Sequence, residues 1–261
     1  MSVTIVTALF DIDRENKGDG RSVSEYLEWF RKTLQLNCNL FIVTEEKFHQ
    51  FVIANRPKNY PTHIKIDTLS NAKYYKYLPR IKGILESEEY KKRIVHPNRV
   101  ECKLPEYNII QYSKFGWLES CIETNPFDSE YFFWMDAGLS RFFGRTDLKI
   151  FYPSNKKVKF LQNAEKKFLV QGRVKLEKYQ IDEKFKWGSD NLMKGGIFGG
   201  HRSCVLEVSE MMEHRFVTEM LDQKNANNEQ LCLAYVWRDN KEKFFVVENN
   251  RHPAYIFEFL K

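Results

Sequence analysis

No two of the chain's cysteines stand in a CxxC pair. The five, at positions 38, 102, 121, 204 and 232, are spread along 261 residues. That spacing gives no even disulfide framework and points to reduced thiols in a cytoplasmic setting. Long apolar runs are missing as well. No stretch approaches the roughly 18 apolar residues that cross a bilayer, so a membrane-bound substrate would be met by a soluble or peripheral protein. The opening MSVTIVTALFDIDR has no basic lead and only a short apolar run, and reads as a strand rather than a signal peptide. Charge of one sign is scarce too: 41 basic against 35 acidic residues leave +6, and the basic residues form no stripe. A nucleic-acid enzyme would want clustered acids for two metals and a basic groove, and neither is visible. So mild an excess suits a small anionic ligand or a membrane surface.

What is present is a folded protein. Hydrophobic residues make up 43% and aromatics 15%, well above a disordered composition. No internal repeat or low-complexity linker divides the chain, so residues 1–261 are expected to form a single domain. TIVTALF (4–10) is short and rich in β-branched residues, as a buried strand is. DIDRENKGDGR (11–21) is a polar loop. Ser22 and Glu25 form a capping box for a helix whose apolar face is Val23, Tyr26, Leu27, Phe30 and Leu34. NLFIVT (39–44) is a second strand, EEKFHQFVIANR a helix ended by Pro57, and THIKIDTL (62–69) a third strand. This β-α-β-α-β order opens an α/β sheet. A charged, tyrosine-rich excursion (71–106) and a long amphipathic helix (105–124) lead to YFFWMD. Further strands are expected at 168–174 and 244–248. The glycine cluster MKGGIFGG (193–200) between them reads as a loop, with helices after it and a short tail at the end.

YFFWMDAGLSRF (131–142) poses the functional question. Five apolar residues anchor a strand, and one carboxylate, Asp136, follows before an Ala-Gly turn. In α/β sheets, ligands bind beyond the carboxyl ends of strands. A carboxylate there suits a hard cation, Mg2+ or Mn2+, holding a diphosphate. An aspartate that merely caps a turn accounts for the same residue.

Taken in order, TIVTALFDIDR, YSKFGWLES, FFWMDAGLSRF, GGIFGG and NNEQLCLAYV resemble the bacterial HtrL/YibB-type family and, more broadly, GT-A glycosyltransferases. The resemblance covers most of the chain. It implies a GT-A-like (Rossmann-like) mixed central sheet flanked by helices, a nucleotide-sugar donor, and a glycan or lipid-linked acceptor. It also implies a divalent metal at Asp136. The chain departs from the DxD pattern of such enzymes: Asp-Ala-Gly lacks the second acid, so one carboxylate needs water, phosphate or a second ligand. His252, after the last strand, resembles the C-terminal histidine that some of these enzymes add to the metal.

The same resemblance places Thr7, Ala8 and Phe10 against the nucleotide. Arg14 could pair with phosphate, and Asp11 or Asp13 could bond base or ribose, although turn chemistry also explains the two aspartates. Lys114 and Arg141 resemble the basic residues that reach a donor diphosphate. Gly195 and Gly196 would let backbone amides wrap sugar or phosphate. Glu229, at a helix start, would be the base that deprotonates the acceptor, with Asp190 as the other candidate. Helix capping alone also accounts for the NNEQ sequence. A glycosyltransferase is the expected function; a non-catalytic nucleotide- or glycan-binding protein on the same fold is the alternative.

Overall fold

The computed structural model describes residues 2–163 and 166–261. Its strands are β1 (Ser2–Leu9), β2 (Asn39–Thr44), β3 (Thr62–Ile66), β4 (Ser129–Met135), β5 (Phe168–Gly172), β6 (Met193–His201) and β7 (Phe244–Glu248). Among the described residues they form one seven-stranded sheet in the order β3-β2-β1-β4-β6-β5-β7. The β3-β2-β1-β4 half is parallel. β6 runs antiparallel to both its neighbours, and β5 pairs in parallel with β7 at the edge. The sheet is therefore mixed, and the fold is α/β.

Ten α-helices lie among the described residues, with short 3-10 turns between them: α1 (Arg14–Lys17), α2 (Val23–Leu34), α3 (Glu46–Asn55), α4 (Leu78–Glu86), α5 (Glu88–Arg93), α6 (Pro105–Thr124), α7 (Asn155–Asn163), α8 (Arg202–Arg215), α9 (Glu229–Asp239) and α10 (Tyr255–Phe259). α2 starts as its sequence requires. The Ser22 hydroxyl accepts the Glu25 amide at 3.2 Å, and Glu25 accepts the Ser22 amide at 2.9 Å, so two donors that the first turn would leave orphaned are satisfied. None of the described helices is long and apolar enough to cross a membrane. All five cysteines are free and buried, as their spacing suggests.

The aromatic run of β4 is explained by burial on both faces of the sheet. Phe132 and Trp134 enter the core beneath α6, α8 and α9, while Tyr131, Phe133 and Met135 enter the core on the opposite side. A strand covered on both faces has no polar side to show, so it reads as a continuous apolar run. Each such side chain contributes on the order of 1.5–3 kcal/mol by leaving water.

The glycine cluster is a strand, not a loop, which corrects the reading of MKGGIFGG. β6 is squeezed between β4 and β5. A Cβ on Gly199 would fall 2.1 Å from the Phe132 carbonyl oxygen, and one on Gly200 would fall 2.4 Å from that of Lys167. Glycine stands here because neighbouring backbones come too close for a side chain. The tail contains α10, and the long helix after β6 passes from α8 into a π-helical turn at Phe216–Leu221.

Glu213 of α8 ties down the segment before α4. It accepts from Lys76 at 2.7 Å and Tyr77 at 3.1 Å, and pairs with Lys73 at 2.9 Å. Burial alone would raise its carboxyl, but the hydrogen bonds from Lys76 and Lys73 outweigh burial and hold it down at about 2. A depressed carboxyl adds stability above the ordinary value of 4.5 and loses it as pH falls toward 2. Glu213→Gln is expected to lower Tm at pH 7 by about 2–4 °C. It should also flatten the acid limb of a Tm-against-pH profile; a profile matching wild type would contradict this.

Candidate functional site

From β1 the chain moves outward to β2 and β3, then returns to lay β4 on the other side of β1. Loops leaving the carboxyl ends of β1 and β4 must diverge, and a crevice opens at such a reversal of strand order. A cavity of about 140 Å³ lies there, bounded by Ala8 and Phe10 after β1, Asp136 and Arg141 after β4, and Gln111 and Lys114 of α6. The Asp-Ala-Gly turn is pinned from both sides. The Asp136 amide donates to the Gly196 carbonyl at 2.8 Å, and the Thr33 hydroxyl of α2 donates to the Ala137 carbonyl at 3.1 Å.

Asp136 is oriented through a single oxygen, by one hydrogen bond and one ion pair. Its Oδ1 accepts the Trp134 indole N–H at 2.6 Å and pairs with the Lys114 ammonium at 3.0 Å. Its side chain remains 41% exposed, and neither contact uses Oδ2. Lys114 itself is buried. It donates to Glu229 Oε1 at 2.7 Å and to the Gly195 carbonyl at 3.0 Å as well as meeting Asp136. Two of the three N–H donors of the ammonium are so used, and Asp136 stands beside it as an ion-pair partner. Burial works against the charge on Lys114, but Asp136 and Glu229 more than offset that, and its pKa is raised.

Several expected site residues take other positions. Glu229 is fully buried behind Lys114 and does not line the cavity, so an acceptor hydroxyl cannot reach it in this arrangement. Burial raises its carboxyl while Lys114 opposes the rise. Asp190 also lies off the cavity wall, exposed and paired with Arg173 at 3.2 Å. Gly195 and Gly196 are strand residues with their own duties. A Cβ on Gly195 would fall 2.1 Å from Glu229 Oε1, and one on Gly196 would fall 2.8 Å from Leu139. They make room for the carboxylate and the turn rather than cradle a ligand. Thr7 is buried within the sheet and off the wall, whereas Ala8 and Phe10 line the cavity.

Arg14 reaches the wall with its charge already committed. It grips Asp19 with Nε at 2.6 Å and Nη2 at 2.7 Å, and lies over the Tyr107 ring at 4.4 Å. Asp11 is paired with Lys47 at 2.9 Å. Arg141 lines the cavity, stacked over Trp29 at 4.9 Å, with no carboxylate partner among the described residues.

A resident divalent ion does not fit these side chains. His252 lies off the cavity wall, and its Nδ1 accepts the Ala254 amide at 3.1 Å. Among the described residues, no group of three His, Cys, Asp or Glu side chains could hold a metal. Asp136 offers one uncommitted oxygen, its other being taken by Trp134 and Lys114.

Gln111 is a cavity residue that the sequence reading missed. It is 5% exposed, and its Oε1 has no hydrogen-bond partner among the described residues. An unsatisfied buried acceptor costs about 1–3 kcal/mol, which a ligand donor would recover. The available signal was spacing: Tyr107, Ile110, Gln111 and Lys114 lie at i, i+3, i+4 and i+7 on α6, and all four line the cavity.

Fold and cleft together define an α/β protein with a ligand crevice between β1 and β4, holding a fixed carboxylate and guanidinium groups. The chain belongs to the HtrL/YibB family, described as a bacterial protein of unknown function, which matches residues 1–256. No curated protein matches it. Among solved structures it is similar to mouse xyloside xylosyltransferase 1 in its apo form. That likeness has 9% identity and a TM-score of 0.44, over 94% of this chain and 84% of the other. It is also similar to a glycosyltransferase involved in glycosylating the major capsid of PBCV-1, at 14% identity and 0.42, over 95% and 82%. A third is 4-diphosphocytidyl-2C-methyl-D-erythritol synthase from Anaerococcus prevotii, at 10% identity and 0.36, over 96% and 90%. Likenesses this distant assign no activity.

Two predictions follow from the geometry. Lys114→Met strands Glu229 as a buried, unpaired charge and should cost about 3–5 kcal/mol in urea unfolding. Adding Glu229→Gln should recover a large part of that loss; a double variant no more stable than the single one would show that the pairing is not what holds this corner. Gln111→Leu keeps the volume and removes the unsatisfied amide. It should leave Tm unchanged or slightly raised while weakening ligand binding about tenfold. A variant with unaltered binding would place Gln111 outside the ligand site.

Proposed function

We propose that this protein is a glycosyltransferase that moves a sugar from a nucleotide-diphosphate donor to a hydroxyl of a glycan or lipid-linked acceptor. One observation carries the reading: Asp136 is delivered to the crevice at the reversal of strand order, one oxygen locked by Trp134 and Lys114 and the other uncommitted. The nucleoside lies against the apolar end of β1, where Ala8 and Phe10 form the wall. Asp136 Oδ2 accepts hydrogen bonds from sugar hydroxyls, and the guanidinium side of the cleft faces the diphosphate. In the reaction, the acceptor oxygen bonds to the anomeric carbon. The bond from that carbon to the β-phosphate oxygen breaks, the nucleoside diphosphate leaves with the electron pair, and the acceptor proton passes to a base or to water. Fixed groups aimed at the departing charge lower the barrier because they need no reorganisation.

A second reading has its own support. Both residues expected as the base, Glu229 and Asp190, stand off the cavity wall, which suits a protein that binds a nucleotide or glycan without turning it over. Thermal shift against a panel of nucleotide sugars tests the first reading. A ligand selective for the native state at about 100 times its Kd adds about 2.7 kcal/mol. One donor should therefore raise Tm by several degrees in wild type and by little in Asp136→Ala. That donor should then release its nucleoside diphosphate when acceptor glycans are added. Binding without release on any acceptor favours the second reading, and no shift with any donor contradicts the first reading and the nucleotide-binding form of the second.

A further inference from the structure

The charges around the cleft divide unevenly. Arg14 is neutralised by Asp19, Asp11 by Lys47, and Lys114 by Asp136 and Glu229. Two lining cations remain. Among the described residues Arg21 has as its partner only Asp19, at 3.6 Å, and that carboxylate already holds Arg14 in a two-point grip. Arg141 makes no ion pair or hydrogen bond among the described residues. Its guanidinium is held instead by ring contacts, at 4.9 Å over Trp29 and 4.7 Å over Phe142. Burial and then the neighbouring charge of Arg21 disfavour its charged form. Two like charges facing one cavity without carboxylates of their own are relieved by an anion. Guanidinium matches phosphate oxygens with paired, charge-assisted hydrogen bonds.

We infer that Arg21 and Arg141 bind the diphosphate of the donor and neutralise it in place of a divalent metal. The inference rests on the nucleotide-diphosphate reading of the cleft and adds the means of charge balance. The Asp-Ala-Gly turn then has a physical reason. With guanidinium groups supplying the positive charge, a second carboxylate at position 138 would bind no metal and would repel the phosphates, and a side chain there would meet Trp29 at 3.0 Å. Lys114 holds Asp136 beside the anion site, its own charge already matched by Asp136 and Glu229.

Calorimetric titration of the full chain with a panel of nucleoside diphosphates, in EDTA and again in Mn2+, tests this. At least one nucleoside diphosphate should bind in EDTA, and Mn2+ should change its Kd by less than about 3-fold, under half of the tenfold step. Arg21→Ala and Arg141→Ala should each weaken binding roughly 10- to 100-fold, as lost charged hydrogen bonds do. The parent nucleoside, lacking phosphates, should bind wild type and variants alike. Arg21 is part-exposed and Arg141 exposed, so both variants should keep the wild-type Tm, which verifies folding. Arg141→Lys should restore part of the affinity. Binding that requires Mn2+, or binding in EDTA that neither arginine variant weakens, overturns the inference and leaves the proposed function standing. No binding of any nucleoside diphosphate in either condition overturns both.

Discussion

The Lys114 ammonium is the interaction on which the cleft depends. It is buried among three oxygens from three elements: Asp136 after β4, Gly195 in β6 and Glu229 at the start of α9. A buried cation is tolerated when it is paired and hydrogen-bonded, and Lys114 is paired with two carboxylates and donates to Glu229 and Gly195. The same contacts fix Asp136 relative to α6, so the carboxylate faces the cavity in one orientation. Gly195 is the steric counterpart, since any side chain there would displace Glu229 and with it the ammonium. α9 in turn is held by its N-cap, where Asn228 accepts from the Gln230 and Leu231 amides.

This arrangement separates two tasks that one metal ion would combine. Orientation of the carboxylate is assigned to Lys114 and Trp134, inside the protein. Neutralisation of a bound anion is proposed to fall to Arg21 and Arg141, which line the same cavity. The separation follows from geometry: the Lys114 charge is matched by two carboxylates, whereas the Arg141 guanidinium, held by ring faces, keeps its edge free.

Much of the architecture was legible in the sequence because local chemistry and the final fold agree. The Ser22–Glu25 capping box, the helix over 105–124 and the aromatic strand ending at Asp136 all stand where periodicity and turn chemistry place them. The glycine cluster misled because glycine signals turns in isolation, whereas here it permits close approach between strands, a tertiary fact. The candidate site was half legible. Asp136, Ala8, Phe10, Lys114 and Arg141 do meet at one cavity. Glu229 is expected as the base because the family resemblance puts an acidic residue at such a helix start near the acceptor, and nothing local reveals that the folded chain buries it behind Lys114. The commitment of Arg14 to Asp19 and the orphaned amide of Gln111 depend likewise on contacts that only the folded chain makes.

A crystal structure of the protein soaked in EDTA with a nucleoside diphosphate tests the central claim most directly. The account predicts the nucleoside against Ala8 and Phe10, the diphosphate within hydrogen-bond distance of the Arg21 and Arg141 guanidinium groups, and the Lys114–Asp136 contact unchanged. A nucleotide bound away from the β1–β4 crevice, or a diphosphate there that neither arginine touches, would contradict it.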